Sequence, residues 1–434
     1  MEEKLYAGAS SIVVNLDEKC FPNAESIKSH DNVYVRVIII KANKKFCFLS
    51  ADMPSMFPPD VRYCKELLKN RGFEDENSWI TVSHSLSAPH TWPVGGNEQK
   101  DTMLPPVFTE NPKMLDVADR INEAYKKAYN TAIDTALSNM EEASVGFGKG
   151  QCRININRNV LTNKGWWQGV NHEGFADPTL TALRFNRKDG SPIAIIYNYS
   201  VQSSVAAGKF PDAGGRISSS DLAGAASLYV ENEYKNCTTM ILCGATSDQV
   251  PLYKINHIVV DKDGNYSEQS FGEAGFVLLE AQGKLLGESI INVSETIDNY
   301  HENTCIFSDH ITYTCNCQRR DSDMGKLRPV HEYKYIPDGT RDLTVSMLLL
   351  GDIALVGLIP EMDGITISDI RNGSPYEKTM VASFINGNGK SMPAAESYDK
   401  FHYAALNSPF VKGSAEKTRD IAISYLNELH AKRK

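Results

Sequence analysis

Long apolar runs are missing from this 434-residue chain. A membrane-spanning helix needs about 20 consecutive apolar residues. The best candidates are Val37–Ile40 and Met347–Pro360, and the second is interrupted by Gly351, Asp352 and Gly357. No membrane span is therefore expected. A basic block is missing too. Net charge is −9, and no Lys/Arg cluster suited to a phosphate backbone is present, so nucleic acid is not an expected partner. The opening residues, from Met1 to Tyr6, carry two acids and no apolar core of a secretory signal. The expectation is a cytoplasmic protein whose nine cysteines are reduced. Only Cys315 and Cys317 lie close together, and Cys-X-Cys is not zinc-ribbon spacing. The chain also lacks a phosphate-binding Gly-rich loop, a Gly-x-Ser-x-Gly elbow and a His-Glu-x-x-His helix. No repeat, low-complexity tract or Pro/Gly-rich linker divides it, so a single domain over 1–434 is expected.

What is present is a globular composition, 41% hydrophobic and 23% charged. Val33–Leu49 is rich in β-branched residues and reads as a strand pair turning at Lys41-Ala-Asn-Lys44. Pro59–Arg71 reads as a helix, with Pro near its start and Gly72 beyond its end. Leu115–Leu137 has apolar residues close to a 3.6-residue period, which predicts a long amphipathic helix. Further helices are expected at Asp221–Tyr234, Ala274–Val293 and Ser414–Leu429. Strands are expected at Trp79–Val82, Leu180–Phe185, Ile193–Tyr199 and Thr239–Cys243, with a hairpin of Leu343–Leu350 and Ile353–Leu358. Alternating strands and helices give an α/β class with mixed sheets flanked by helices. In such folds, polar residues at strand ends are where sites collect.

Four loops follow apolar strands: Ser83–Pro93, Asn198–Ser204, Gly244–Pro251 and Pro360–Gly364. The first holds His84 and His90, stiffened by Pro89 and Pro93. Histidine at a strand end serves as acid, base or metal ligand, or simply as a capped polar group. Glu361 follows the run Ile353–Pro360; a carboxylate there can be a base or ligand, or a dipole-favoured residue opening a helix. Asp248 fits an Asx turn equally well. Trp166 and Trp167 line a cleft or pack. His301 and His310 match no metal spacing and read as surface residues.

Taken in order, the segments resemble the catalytic domain of the neutral ceramidase family. Thr81-Val-Ser-His84-Ser-Leu-Ser-Ala-Pro89 resembles that family's Thr-His-Thr-His-Ser-Gly-Pro loop. Asn155-Ile-Asn-Arg158 resembles its Asn-Arg segment, and Gly174-Phe-Ala-Asp177-Pro its Gly-Pro-Val-Asp stretch. Asn198-Tyr-Ser-Val-Gln202-Ser-Ser is similar to its Asn-Tyr-Ala-x-His-Pro-Thr strand end. Ser220-Asp221-Leu-Ala-Gly224 and Ser247-Asp248-Gln-Val-Pro251 resemble its Ser-Asp-x-Pro-Gly and Gly-Asp-x-x-Pro turns. Gly351-Asp-Ile-Ala, running on to Pro360-Glu361, resembles its Gly-Asp-x-Ala to Pro-Gly-Glu segment. The likeness runs from about Leu5 to about Arg419 and stops before the immunoglobulin-like domain of larger members.

The resemblance implies one zinc that activates water against an amide carbonyl, held by two His, a Glu and a Tyr. His84 and Glu361 match two of these ligands. Gln202 stands for the second His and Ser391 for the Tyr; Leu86 replaces a further site His, and Val250 a serine proposed as catalytic. Two good ligands fall short of the three that catalytic zinc usually takes, so zinc is expected to be weakly held or absent. His90, His172 and Asp221 are the nearest substitutes by motif. The expected reaction is hydrolysis of an acyl amide or ester of a small soluble substrate rather than ceramide. His84, Glu361, Asp248 and His90 are the expected catalytic groups. Gln202, Asp221, Ser391, Arg158 and Trp166 are expected to bind substrate. Metal-independent acyl transfer or condensation, and binding without catalysis, are the alternatives.

Overall fold

The computed structural model describes residues 2–93, 107–111, 113–321 and 324–433. Its architecture is three mixed sheets around one apolar centre, with helices outside. The first sheet is ordered Ser78–Val82, Lys45–Ala51, Tyr34–Lys41, Tyr6–Val13, Glu141–Glu142. The second is ordered Thr238–Cys243, Pro192–Tyr199, Thr179–Asn186, Ser144–Gln151. The third is ordered Ile306–Arg319, Ile336–Leu350, Ile353–Leu358, Lys378–Ala382. This is the α/β class with mixed sheets that the alternation of elements predicts.

Strand periodicity explains the layering. Side chains alternate across a strand, so one sequence feeds two cores. In Tyr34–Lys41, Ile38 and Ile40 join the central core, while Val35, Val37 and Ile39 face the helices. Phe48, Trp79, Leu183, Ile196, Leu348 and Leu355 complete the centre from all three sheets. The outer faces are covered by Pro58–Lys69 and Lys113–Ser138 on the first sheet, and by Asp221–Glu233 and Phe276–Glu295 on the second. Gly364–Gly373 and Ser414–Arg433 cover the third. Each fully buried Leu, Ile or Phe side chain contributes roughly 1.5–3 kcal/mol, so this double-faced burial is what holds the layers together.

Each sheet also contains one parallel pair. Lys45–Ala51 runs with Ser78–Val82, Pro192–Tyr199 with Thr238–Cys243, and Ile353–Leu358 with Lys378–Ala382. Their carboxyl ends are stitched to one another. Asn198 Nδ2 donates to the carbonyls of Leu242 and Val381 at 2.7 and 2.9 Å. Asn386 accepts from the Ile80 N–H at 2.9 Å, and the Ser383 N–H donates to the Cys243 carbonyl at 2.7 Å. A parallel bridge joins Ser85 to Ser203.

Several elements carry no clear periodic signal. Ser144–Gln151 is a strand with glycine at 146, 148 and 150. A Cβ on Gly148 would lie 2.6 Å from the Val293 carbonyl oxygen, so the helix Phe276–Glu295 packs where side chains would normally stand. Asn155–Thr162 and Gly165–Asn171 form a hairpin, with Gln249–Pro251 on its far edge. Gly8 shows the same close approach in the first sheet: a Cβ there would lie 2.2 Å from the Ala136 carbonyl oxygen of Lys113–Ser138. Gly8→Ala is expected to destabilise the protein by about 1–3 kcal/mol through overpacking. Denaturant unfolding measures this; an unchanged midpoint would contradict the close helix–sheet contact.

Candidate functional site

The loops that leave the parallel strands meet at one place. His84 lies two residues beyond Ser78–Val82, with a left-handed backbone, φ 51°. A non-glycine residue held there is strained and is kept only where its surroundings fix it. The fixing is visible. His84 Nδ1 lies 2.5 Å from the Pro54 carbonyl oxygen, and the ring stacks on Phe384 with centroids 4.4 Å apart. A carbonyl only accepts, so Nδ1 carries a proton and Nε2 is the nitrogen that faces the rest of the cluster.

Nε2 faces Glu361 and Gln202. It lies 3.5 Å from Glu361 Oε1 and 3.4 Å from Gln202 Nε2. Glu361 sits in the short strand Glu361–Met362, paired in parallel with Ser391–Met392. The register sets Glu361 against Ser391, whose hydroxyl donates to Glu361 Oε2 at 2.5 Å. Thr246 Oγ1 donates to Oε1 at 3.2 Å. Burial favours the neutral carboxyl, but the hydrogen bond and charge of a protonated His84, then Arg158 and Ser391, outweigh it and hold the Glu361 pKa at about 2. His84, Gln202, Glu361 and Ser391 are thus one cluster, each only 4–8% exposed.

Asp248 and Arg158 lie beside it. The Arg158 N–H donates to the Asp248 carbonyl at 2.9 Å. The Asp248 carboxylate accepts from the Gly364 N–H at 2.8 Å and from Asn157 Nδ2 at 3.2 Å. Burial and the neighbouring Asp363 charge push Asp248 up to about 7. Asp363, not Glu361, caps the helix Gly364–Gly373: it accepts from the Thr366 N–H at 2.9 Å and from the Ala394 N–H. Burial raises its pKa as well. Asp363 and Thr246 are not among the sequence candidates. An Asp three residues before Thr366 is a helix-capping signal that points to the first of them.

Other candidates have different partners. Asp221 is buried with φ 56°, and its carboxylate accepts from Ser87 Oγ and from the N–H groups of Val205, Ala206 and Leu222. It ties the Gln202 loop to a helix start and has no oxygen left for substrate. His90 pairs with Glu25, Nδ1 to Oε1 at 2.6 Å, and packs on Trp92; it shares no hydrogen bond with His84 among the described residues. His172 is exposed in a turn. Trp166 is half-buried and stands edge-on to His402, with centroids 4.9 Å apart. His402, also missed by sequence reading, has a buried Nε2 without a partner, and burial lowers its pKa to about 4.

The donor set does not fit zinc. His84 and Glu361 are two strong ligands, Gln202 and Ser391 are neutral oxygens or amides, and no group of three His, Cys, Asp or Glu among the described residues can hold a metal. Hollows of about 490 and 620 Å³ lie elsewhere, one along Ser10 and Thr135, the other along Ile311 and Tyr425.

The fold has solved counterparts. A ceramidase complexed with C2 superposes with a TM-score of 0.74 at 13% identity, covering 99% of this chain and 76% of that one. A neutral ceramidase from Pseudomonas aeruginosa gives 0.69 at 12% identity, covering 98% and 74%. The fold is that of the neutral ceramidases. No family model and no curated protein matches the sequence. The motifs that resemble that family fall at strand ends here. Several of them are framework: Asn155 Nδ2 donates to the carbonyls of Asp177 and Ser200 at 2.8 Å, and Asp177 pairs with Arg371 at 2.6 Å.

The raised Asp248 has a consequence for stability. The folded protein holds this proton more tightly than the unfolded chain, whose carboxyl titrates near 4. That stabilisation is complete below about pH 4 and is lost as pH rises through about 7. The unfolding midpoint of the wild type relative to Asp248→Asn is expected to fall over this window. Parallel midpoint curves for the two proteins would contradict it.

Proposed function

We propose that this protein is a hydrolase of acyl amides or esters in which His84 and Glu361 act together without a metal. The observation that carries the reading is a buried imidazole whose Nδ1 proton is fixed on a carbonyl and whose Nε2 faces a carboxylate held ionised. Nε2 takes a proton from water as the water attacks the acyl carbonyl. The resulting imidazolium is compensated by Glu361, and the same proton then passes to the leaving nitrogen or oxygen. Ser391 and Thr246 hold Glu361 in orientation. The Gln202 amide, 3.4 Å from Nε2, supplies its second N–H to the carbonyl oxygen as charge develops. The ceramidase fold supports an amide-type substrate, and a small soluble acyl amide is the substrate proposed.

General-base catalysis contributes roughly 10²–10⁴-fold. His84→Ala is therefore expected to lower hydrolysis by at least about 100-fold, and Glu361→Gln by a similar factor. The assay is a panel of short N-acyl amides and acyl esters, with circular dichroism to check folding. Full activity in both folded variants would refute the assignment. A folded wild type inactive on the whole panel would refute hydrolysis.

A further inference from the structure

The chain beyond Ser78–Val82 delivers His84, and the chain beyond Pro192–Tyr199 delivers Gln202. These two segments leave different sheets. They meet in one isolated parallel bridge, Ser85 to Ser203, and the Leu86 N–H donates to the Ser203 carbonyl at 2.9 Å. Ser85 directly follows His84, and Ser203 directly follows Gln202. The bridge therefore stands one residue from each of the two groups whose side chains approach to 3.4 Å.

Side-chain hydroxyls lock this bridge. Ser85 Oγ lies 3.2 Å from Ser203 Oγ and 2.9 Å from Ser83 Oγ, and it donates to the Ser220 carbonyl at 2.6 Å. A hydroxyl has one proton and two lone pairs, so three partners use all that Ser85 offers. Ser203 Oγ also accepts from the Ala223 N–H at 2.9 Å. Ser83, Ser85 and Ser203 are at most 2% exposed, so these bonds form out of contact with solvent. Two residues farther along each loop, the Asp221 carboxylate accepts from Ser87 Oγ at 2.6 Å and from the Val205 N–H at 2.8 Å. The Gln202 side chain, by contrast, has His84 as its one hydrogen-bond partner among the described residues. Its place relative to the imidazole is set by its backbone, and so by the bridge.

We propose that Ser85 and Ser203 are positioning residues, whose hydroxyl pair holds His84 and Gln202 in register for attack on the acyl carbonyl. The water that His84 activates and the oxyanion that Gln202 receives belong to one transition state. A misplacement of about 1 Å between such groups costs on the order of 100-fold in rate. The inference rests on the hydrolase reading for the roles of the two side chains and adds what fixes the distance between them.

Ser85→Ala, Ser203→Ala and the double variant test it, with Ser10→Ala as the control. Ser10 is also buried, and its hydroxyl donates to the Ala132 carbonyl at 2.7 Å, on the helix side of the first sheet. Circular dichroism checks folding, and either single variant alone decides the rate test. On an N-acyl amide that the wild type cleaves, each single variant is expected to lower kcat by about tenfold, with KM changed less than about twofold. The double variant is expected to fall about as far as the weaker single variant, because the two hydroxyls act as one unit. Ser10→Ala is expected to keep the wild-type kcat. Full kcat in the single variants, losses that multiply in the double variant, or an equal loss in Ser10→Ala would overturn the proposal. Crystal structures of the wild type and a single variant read the register without any activity. The Gln202 amide is expected to move beyond hydrogen-bond distance of His84, about 3.5 Å, in the variant alone. An unchanged contact would overturn the proposal. A wild type that cleaves no amide or ester, with the displacement seen in the variant, refutes the hydrolase and leaves the positioning standing.

Discussion

The contact between His84 and Glu361 joins the first sheet to the third. Neither residue could reach the other unless parallel strand pairs from both sheets ended at the same level. The common apolar centre sets that level. Phe48 and Trp79 from one sheet share a core with Leu355 and Met380 of the other, so the strand ends are held at one level. The second sheet adds Gln202 and Thr246 from its own two parallel strands. Left-handed backbones at His84 and Phe384, φ 51° and 62°, occur where the stacked rings meet. Local strain at the centre is thus sustained by packing in the layers beneath.

Electrostatics then divides the labour. Glu361 stays charged because a histidine, a hydroxyl and an arginine outweigh its burial. Asp248 and Asp363 crowd one another and are raised by the same low-dielectric surroundings. One carboxylate is therefore kept ionised beside the imidazole, while the other two hold backbone N–H groups around the helix Gly364–Gly373. No third strong ligand joins His84 and Glu361 among the described residues; Gln202 and Ser391 stand beside them and bond to the histidine and the carboxylate instead.

Much of the fold was legible in the sequence where periodicity was strong. The helix Lys113–Ser138 and the strands Tyr34–Lys41 and Lys45–Ala51 follow their apolar patterns closely. Ser144–Gln151 was not legible, because its glycines record a helix packed against it and not a pleat. At the site, His84 and Glu361 were weak signals alone and gained weight from the order of flanking motifs. Ser391 pairs with Glu361 through a strand of two residues, too short to leave a pattern. Asp221 and His90 belong to polar sequences like those of sites, yet their partners, Ser87 and Glu25, come from distant segments that spacing cannot connect.

The central claim is that a histidine and a glutamate, unaided by a third strong ligand, form the working centre. Elemental analysis of the purified protein, with His84→Ala alongside, tests this most directly. The account predicts zinc well below one per chain in both proteins, and hydrolysis that survives chelation. About one zinc per chain, lost in His84→Ala and needed for activity, would contradict it.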